Sequence, residues 1–121
     1  MKILTIIGAR PQFIKAATVS RILCSHKYDE IDEVIVHTGQ HYDYNMSQSF
    51  FDELEMPVPK YNLEVGSTTH GQQTGAIMSS LENIVDKEDP DWMLVYGDTN
   101  STLSAALVAA KKPCRVGHVE S

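Results

Sequence analysis

The chain has 121 residues, 42% of them hydrophobic and 21% charged, a size that fits one compact domain over residues 1–121 and excludes a complete two-domain enzyme. Sixteen acidic against ten basic residues leave a net charge of −6, and no lysine or arginine cluster interrupts that acidic field, so nucleic acid is not an expected partner. The apolar runs Ile3–Ile7 and Met93–Tyr96 are four or five residues long, far short of the ~20 a membrane helix needs, and no signal-peptide pattern opens the chain. A soluble, unprocessed protein is expected.

The first element in chain order is Lys2–Ile7, a nearly continuous β-rich apolar run ending at Gly8, which predicts the central strand of a parallel sheet, buried on both faces. The turn Gly8-Ala9-Arg10-Pro11 then leads into a helix with Phe13, Ala16, Val19, Ile22 and Leu23 at steps of three or four, Pro11 being tolerated in its first turn. After a charged connection from His26 to Glu33, Val34–Thr38 predicts a second strand running into Gly39. Asn45 is placed to cap a short helix with Met46, Phe50, Phe51 and Leu54 on its apolar face, stopped by Pro57 and Pro59. Lys60–Leu63 reads as a short edge strand.

Thr69 and Gln72 form a capping-box pattern ahead of a helix whose core face carries Ile77, Leu81, Ile84 and Val85 and which reaches about Lys87. The acidic stretch Asp86–Asp91 reads as its solvated exit. Trp92–Tyr96 is the next buried strand, Gly97–Asn100 a turn, Leu103–Ala110 an alanine-rich helix, and Cys114–Val119 a last strand. Trp92 and Phe50 read as core. Gly71, Gly75 and Ser79 leave one helix face without bulk, open to a close neighbour. Buried strands alternating with helices predict a doubly wound α/β domain of Rossmann-like type.

In such a sheet ligands bind beyond the carboxyl ends of the strands, which singles out Gly8, Arg10 and Lys15 after the first strand, Gly39, Gln40 and His41 after the second, Gly97, Asp98 and Thr99 after the Trp92 strand, and Glu120 after the last. The Gly8–Pro11 turn offers backbone N–H groups at a helix start and the guanidinium of Arg10 for a phosphate or carboxylate; the plainer alternative is a tight turn with Arg10 solvated. Positions 8, 10 and 13 read Gly, Arg and Phe, so the GxGxxG dinucleotide fingerprint is absent and a nicotinamide cofactor is not expected. Asp98 and Glu120 could converge and divide acid and base work, or serve as a helix-capping carboxylate and a surface residue respectively. His41 and His118 could bind or catalyse, while His26 and His70 read as loop and helix-start residues. Without HxH, HExxH or CxxC spacing no metal site is expected, and Cys24 and Cys114, 90 residues apart, suggest no disulfide and a reducing cytoplasm.

Gly8-Ala9-Arg10-Pro11-Gln12-Phe13-Ile14-Lys15, Thr38-Gly39-Gln40-His41-Tyr42-Asp43, His70-Gly71-Gln72-Gln73-Thr74-Gly75, Tyr96–Thr102 and Gly117-His118-Val119-Glu120 together resemble the N-terminal half of the non-hydrolysing UDP-N-acetylglucosamine 2-epimerases. The resemblance implies the first of two Rossmann-like domains in the GT-B arrangement, with the active site between them. It implies a cytoplasmic, homodimeric full-length isomerase of polysaccharide biosynthesis that acts on a UDP-sugar without a cofactor or metal. In that reaction C2 is inverted by eliminating UDP to a 2-acetamidoglucal and adding it back. Arg10 and Lys15 match the family's basic motif, and Gln40 and His41 its second motif, on the substrate-binding side. Asp98 and Glu120 match two of its acidic catalytic positions. The family's remaining glutamate and most of its uridine contacts fall downstream of Ser121, and its usual Ala-Gly after Val119-Glu120 is replaced here by Ser121, so the 121 residues alone are expected to be inactive. The wording of Thr38–Asp43 and Tyr96–Leu103 is similar to the branch acting on UDP-2,3-diacetamido-glucuronate. The competing assignments are a GT-B glycosyltransferase domain and a non-catalytic flavodoxin-like binding module.

Overall fold

The computed structural model describes residues 1–8, 10–23, 30–39, 59–63, 65, 69–96, 100–111 and 114–119, without the side chains of 10–13 and 101. Within them lie β1 (Lys2–Ile7), α1 (Arg10–Leu23), β2 (Asp32–His37), β3 (Tyr61–Asn62), α2 (His70–Glu88), β4 (Trp92–Tyr96), α3 (Asn100–Ala110) and β5 (Arg115–Val119). The expected capped helix at Asn45–Leu54, with Phe50, falls outside the described residues.

The strands form one sheet in the order β3-β2-β1-β4-β5, every pair parallel. Side chains alternate across a strand, and both sides of this sheet are covered. Leu4, Ile6, Val34, Val36, Met93 and Val95 pack on one face against Ile77, Leu81, Ile84 and Val85 of α2 and Ala105, Val108 and Ala109 of α3. Ile7, Ile35 and Tyr96 pack on the other against Ala16 and Ala17 of α1. The doubly wound α/β expectation is met, with β1 central.

Local chemistry explains the element ends. The Thr69 hydroxyl accepts the Gln72 N–H at 3.3 Å, satisfying one of the donors that every helix start leaves open. At the other end of α2, Asp89 takes a left-handed conformation (φ 47°) and its N–H reaches Val85 O, after which Pro90 prevents continuation. Gly39, at φ 82°, occupies a backbone region that side-chain-bearing residues rarely adopt.

Several expectations are corrected. Asp32 and Glu33 are not in a loop but open β2, paired with Lys2 and Ile3, because the sheet extends the strand past its apolar segment. Glu88 is no part of a solvated exit: it is 6% exposed and accepts hydrogen bonds from Lys60 Nζ at 2.7 Å and Tyr61 Oη at 2.9 Å. Ile22 is 53% exposed, since α1 is anchored on the sheet through its small residues Ala16, Ala17 and Ser20. Trp92 is only partly buried and lies outside both core clusters, with the Arg115 guanidinium 5.7 Å from its ring centre, at the distance of a cation–π contact. Among the described residues nothing fills the space over Gly71 and Gly75, where an added Cβ would find no atom within 4 Å, so that part of the helix face is open as expected.

Between α1 and the sheet lies a polar layer. Glu33 accepts from Thr5 Oγ1 and from Ser20 Oγ, each at 2.6 Å, and both hydroxyl residues are fully buried. These bonds tie α1 to β1 and β2 at one carboxylate.

Candidate functional site

Strand polarity and register decide where a site can form. His37 pairs with Ile7 and Tyr96 with Val119, while Ile6 pairs with Val95, so Ile7 and Tyr96 are level. His37, Ile7, Tyr96 and Val119 therefore form one row across four neighbouring strands, and all four strands end at it. Strand order reverses between β1 and β4, since β2 and β3 lie to one side and β5 to the other. That is the switch point where doubly wound sheets open a ligand crevice.

The sequence-predicted residues sit as follows. Arg10 opens α1 directly beyond β1, and Lys15 is exposed on the same helix. Gln40, His41, Asp98 and Glu120 lie outside the described residues, as does the side chain of Arg10. Gln40 and His41 follow the Thr38-Gly39 exit of β2, Asp98 follows Tyr96 at the end of β4, and Glu120 follows Val119 at the end of β5 in sequence.

Thr38 N–H donates to Ile7 O and Val65 N–H to Thr38 O, which fixes the backbone exit from β2 beside that from β1. Burial holds the His37 imidazole below its ordinary value of 6.5, and a hydrogen bond with Asn62 works in the opposite direction; His37 is thereby kept neutral at pH 7. Burial, with a smaller contribution from the Glu33 charge, pushes the Tyr96 phenol up, so it stays protonated.

A cluster that sequence reading missed joins the starts of α2 and α3. Asn100 Nδ2 donates to Gln73 Oε1 at 2.6 Å and stands 2.9 Å from His70 Nδ1. One turn further on, Ser104 Oγ donates to Asn100 O at 2.7 Å and lies 3.1 Å from Thr74 O. Thr102 Oγ1 donates to Tyr96 O at 2.7 Å, which pins the first turn of α3 to the end of β4. The motif letters held all three members, yet His70 and Asn100 are 30 residues apart, and only the packing of α2 against α3 brings them together.

At the opposite, amino edge lie two hollows, one of about 180 Å³ lined by Lys2, Asp32, Glu33, Lys60 and Glu88 and a more open one beside Met1, Asp91, Trp92 and Arg115. Lys2 and Lys60 are both within 3.4 Å of Glu88 there, so both cations are already held by a carboxylate of the protein, and the strand polarity points function to the other edge. No group of three metal-ligating side chains occurs among the described residues, and no helix among them is long and apolar enough to cross a membrane.

Comparison with known proteins agrees with this geometry. Over its whole length the chain is 54% identical to a UDP-N-acetylglucosamine 2-epimerase homolog of Methanococcus maripaludis, of which it covers 33%. It is 52% identical to the UDP-2,3-diacetamido-2,3-dideoxy-D-glucuronate 2-epimerase of Pseudomonas aeruginosa, covering 34% of it. The crystal structure of the Methanocaldococcus jannaschii UDP-GlcNAc 2-epimerase in complex with UDP-GlcNAc and UDP superposes with a TM-score of 0.90 at 48% identity, over all of this chain and 33% of that one. The chain thus spans about a third of the length of these relatives. The family model described as UDP-N-acetylglucosamine 2-epimerase matches residues 24–121, and the chain belongs to that family.

Proposed function

We propose that residues 1–121 form the first Rossmann-like domain of a cytoplasmic, homodimeric UDP-sugar 2-epimerase of GT-B arrangement, and that the protein inverts C2 of a UDP-2-acetamido sugar. The observation that carries this reading is the end-to-end likeness to an enzyme whose structure holds UDP-GlcNAc and UDP. The substrate class follows from what the similar enzymes share: both are named for UDP-linked sugars epimerised at C2.

The chemistry asks for three things. The departing diphosphate needs cations and N–H donors, positive charge building near the anomeric carbon needs carboxylates, and the weakly acidic C2 hydrogen needs a positioned base with an acid on the other face. Arg10 at the start of α1, with Lys15 a turn later, serves the diphosphate. Asp98 and Glu120 serve proton transfer, and the pairing of Tyr96 with Val119 supports their acting together, because the two chains leave adjacent strands at one level. Gln40 and His41 serve substrate binding beyond β2.

The test is solvent isotope entry. Full-length protein incubated with UDP-N-acetylglucosamine in D₂O is expected to place deuterium at C2 of the product sugar, because elimination and re-addition must exchange that hydrogen. Turnover with C2 hydrogen retained, or only after an acceptor is added, would mark a glycosyltransferase instead.

A further inference from the structure

We infer that Asn100 is a positioning residue that fixes the tautomer of His70, so that His70 offers its Nε2–H as a hydrogen-bond donor to an acceptor oxygen of the nucleotide sugar. This rests on the nucleotide-sugar reading of the carboxyl edge. The bonding pattern carries the argument. The side-chain nitrogen of Asn100 has two protons to give and nothing to accept with. One goes to Gln73 Oε1 at 2.6 Å and the other to His70 Nδ1 at 2.9 Å. Gln73 is 6% exposed, so its side chain is held in place, and in the orientation seen its carbonyl oxygen faces the Asn100 amide.

A ring nitrogen that accepts carries no proton, so the neutral imidazole must hold its proton on Nε2. With Nδ1 engaged, Nε2 is the atom a ligand can meet. Position gives the bond its use. Asn100 begins α3 four residues after the end of β4, its helix tied to Tyr96 O through Thr102, and β4 borders β1 at the point where strand order reverses. His70 belongs to the one exposed end of the cluster, on the edge where the nucleotide sugar is expected.

Two measurements test the inference. In the 121-residue chain, long-range ¹H–¹⁵N correlation spectra of the His70 ring at pH 8 are expected to show Nε2 protonated. Asn100→Asp, which removes the donor and supplies an acceptor, is expected to move the proton to Nδ1. A wild-type ring protonated on Nδ1, or a tautomer unchanged in Asn100→Asp, would overturn the assignment. In the full-length protein, calorimetric titration with UDP-N-acetylglucosamine is expected to show about tenfold weaker binding for His70→Ala and for Asn100→Asp. His70→Gln, whose amide nitrogen reproduces the Nε2 donor, should stay within about threefold of wild type. Unchanged affinity in His70→Ala overturns the ligand role of His70. A wild type that binds the sugar nucleotide but exchanges no C2 hydrogen overturns the epimerase reading while the binding comparison still decides this inference, and a wild type that does not bind it overturns both.

Discussion

Glu88, in the last turn of α2, holds the ammonium of Lys60 at 2.7 Å and thereby locks the start of the edge strand β3 to the far end of a helix that crosses the sheet. Tyr61 Oη adds a bond at 2.9 Å and Lys2 Nζ approaches to 3.4 Å. With Lys60, Tyr61 and Lys2 as donors, the carboxyl titrates at about 2 instead of 4.5, burial opposing the shift. A carboxylate whose folded value is depressed stabilises the fold fully above its unfolded value, and the contribution is lost as pH falls from about 4.5 toward about 2.

Acid unfolding should therefore have two parts. His37, held below 6.5 by burial, costs stability first, because the unfolded chain takes up a proton from about pH 6.5 downward and the folded one does not. Glu88 follows below about 4.5. Urea midpoints measured between pH 8 and 3 should fall in both ranges. Glu88→Gln should remove the lower step and cost about 1–2 kcal/mol at pH 7, a modest figure because Lys60 is more than half exposed. An unchanged lower step in that variant would contradict the assignment.

Glu33 makes a sharper stability prediction. Its two oxygens accept the Thr5 and Ser20 hydroxyls, and both donors are sealed from water. Glu33→Ala would strand two buried hydroxyls and should cost about 2–6 kcal/mol, at roughly 1–3 kcal/mol for each unsatisfied group. Glu33→Gln keeps one acceptor oxygen and presents an amide to a hydroxyl that can itself accept, so less than half of that loss is expected. Equal midpoints for the two variants in urea would show that the carboxylate is not what holds α1.

How much of this was legible follows from the range of each interaction. The apolar runs Ile3–Ile7 and Met93–Tyr96 announced β1 and β4 because a strand covered on both faces has no polar alternation to hide it. Thr69 announced the start of α2 because a cap acts on its own next turn. Glu88 and Lys60, by contrast, are 28 residues apart, and Asn100 and His70 are 30 apart. Composition near Glu88 is acidic, which reads as a solvated helix end, and only the fold, by bringing Lys60 ahead of β3 and Lys2 of β1 to it, supplies the cations that make burial tolerable. Trp92 shows the reverse error: a large aromatic at a strand start reads as core, but the sheet edge exposes it to Arg115. For the candidate site, the sequence located the carboxyl-edge motifs in their order, while the convergence of Asp98, Glu120, Arg10 and His41 remains a proposal supported by the common strand-end row.

The 121 residues alone should bind UDP weakly. The family resemblance assigns most of the uridine contacts to positions beyond Ser121, and an anion site with one or two exposed cations supplies only a few kcal/mol, which corresponds to roughly millimolar affinity. Titration calorimetry that found micromolar binding would show that this domain holds the nucleotide by contacts of its own.

On the proposed epimerase reading, chemistry and binding should separate in the full-length protein. Asp98→Asn keeps the size and hydrogen-bonding capacity of the side chain and removes its charge, so it should lower kcat by ~100-fold or more, the scale of a lost acid–base group, with a small change in KM. Arg10→Ala should raise KM and also lower kcat, because a cation near the diphosphate binds the ground state and binds more strongly as the leaving group gains charge. Steady-state kinetics with C2 deuterium exchange as a second readout distinguishes the two roles. If Asp98 is a proton-transfer group, its Asn variant loses exchange and net epimerisation together; if the carboxylate only caps the turn before α3, exchange persists at near wild-type kcat and the variant instead shows a lowered unfolding midpoint.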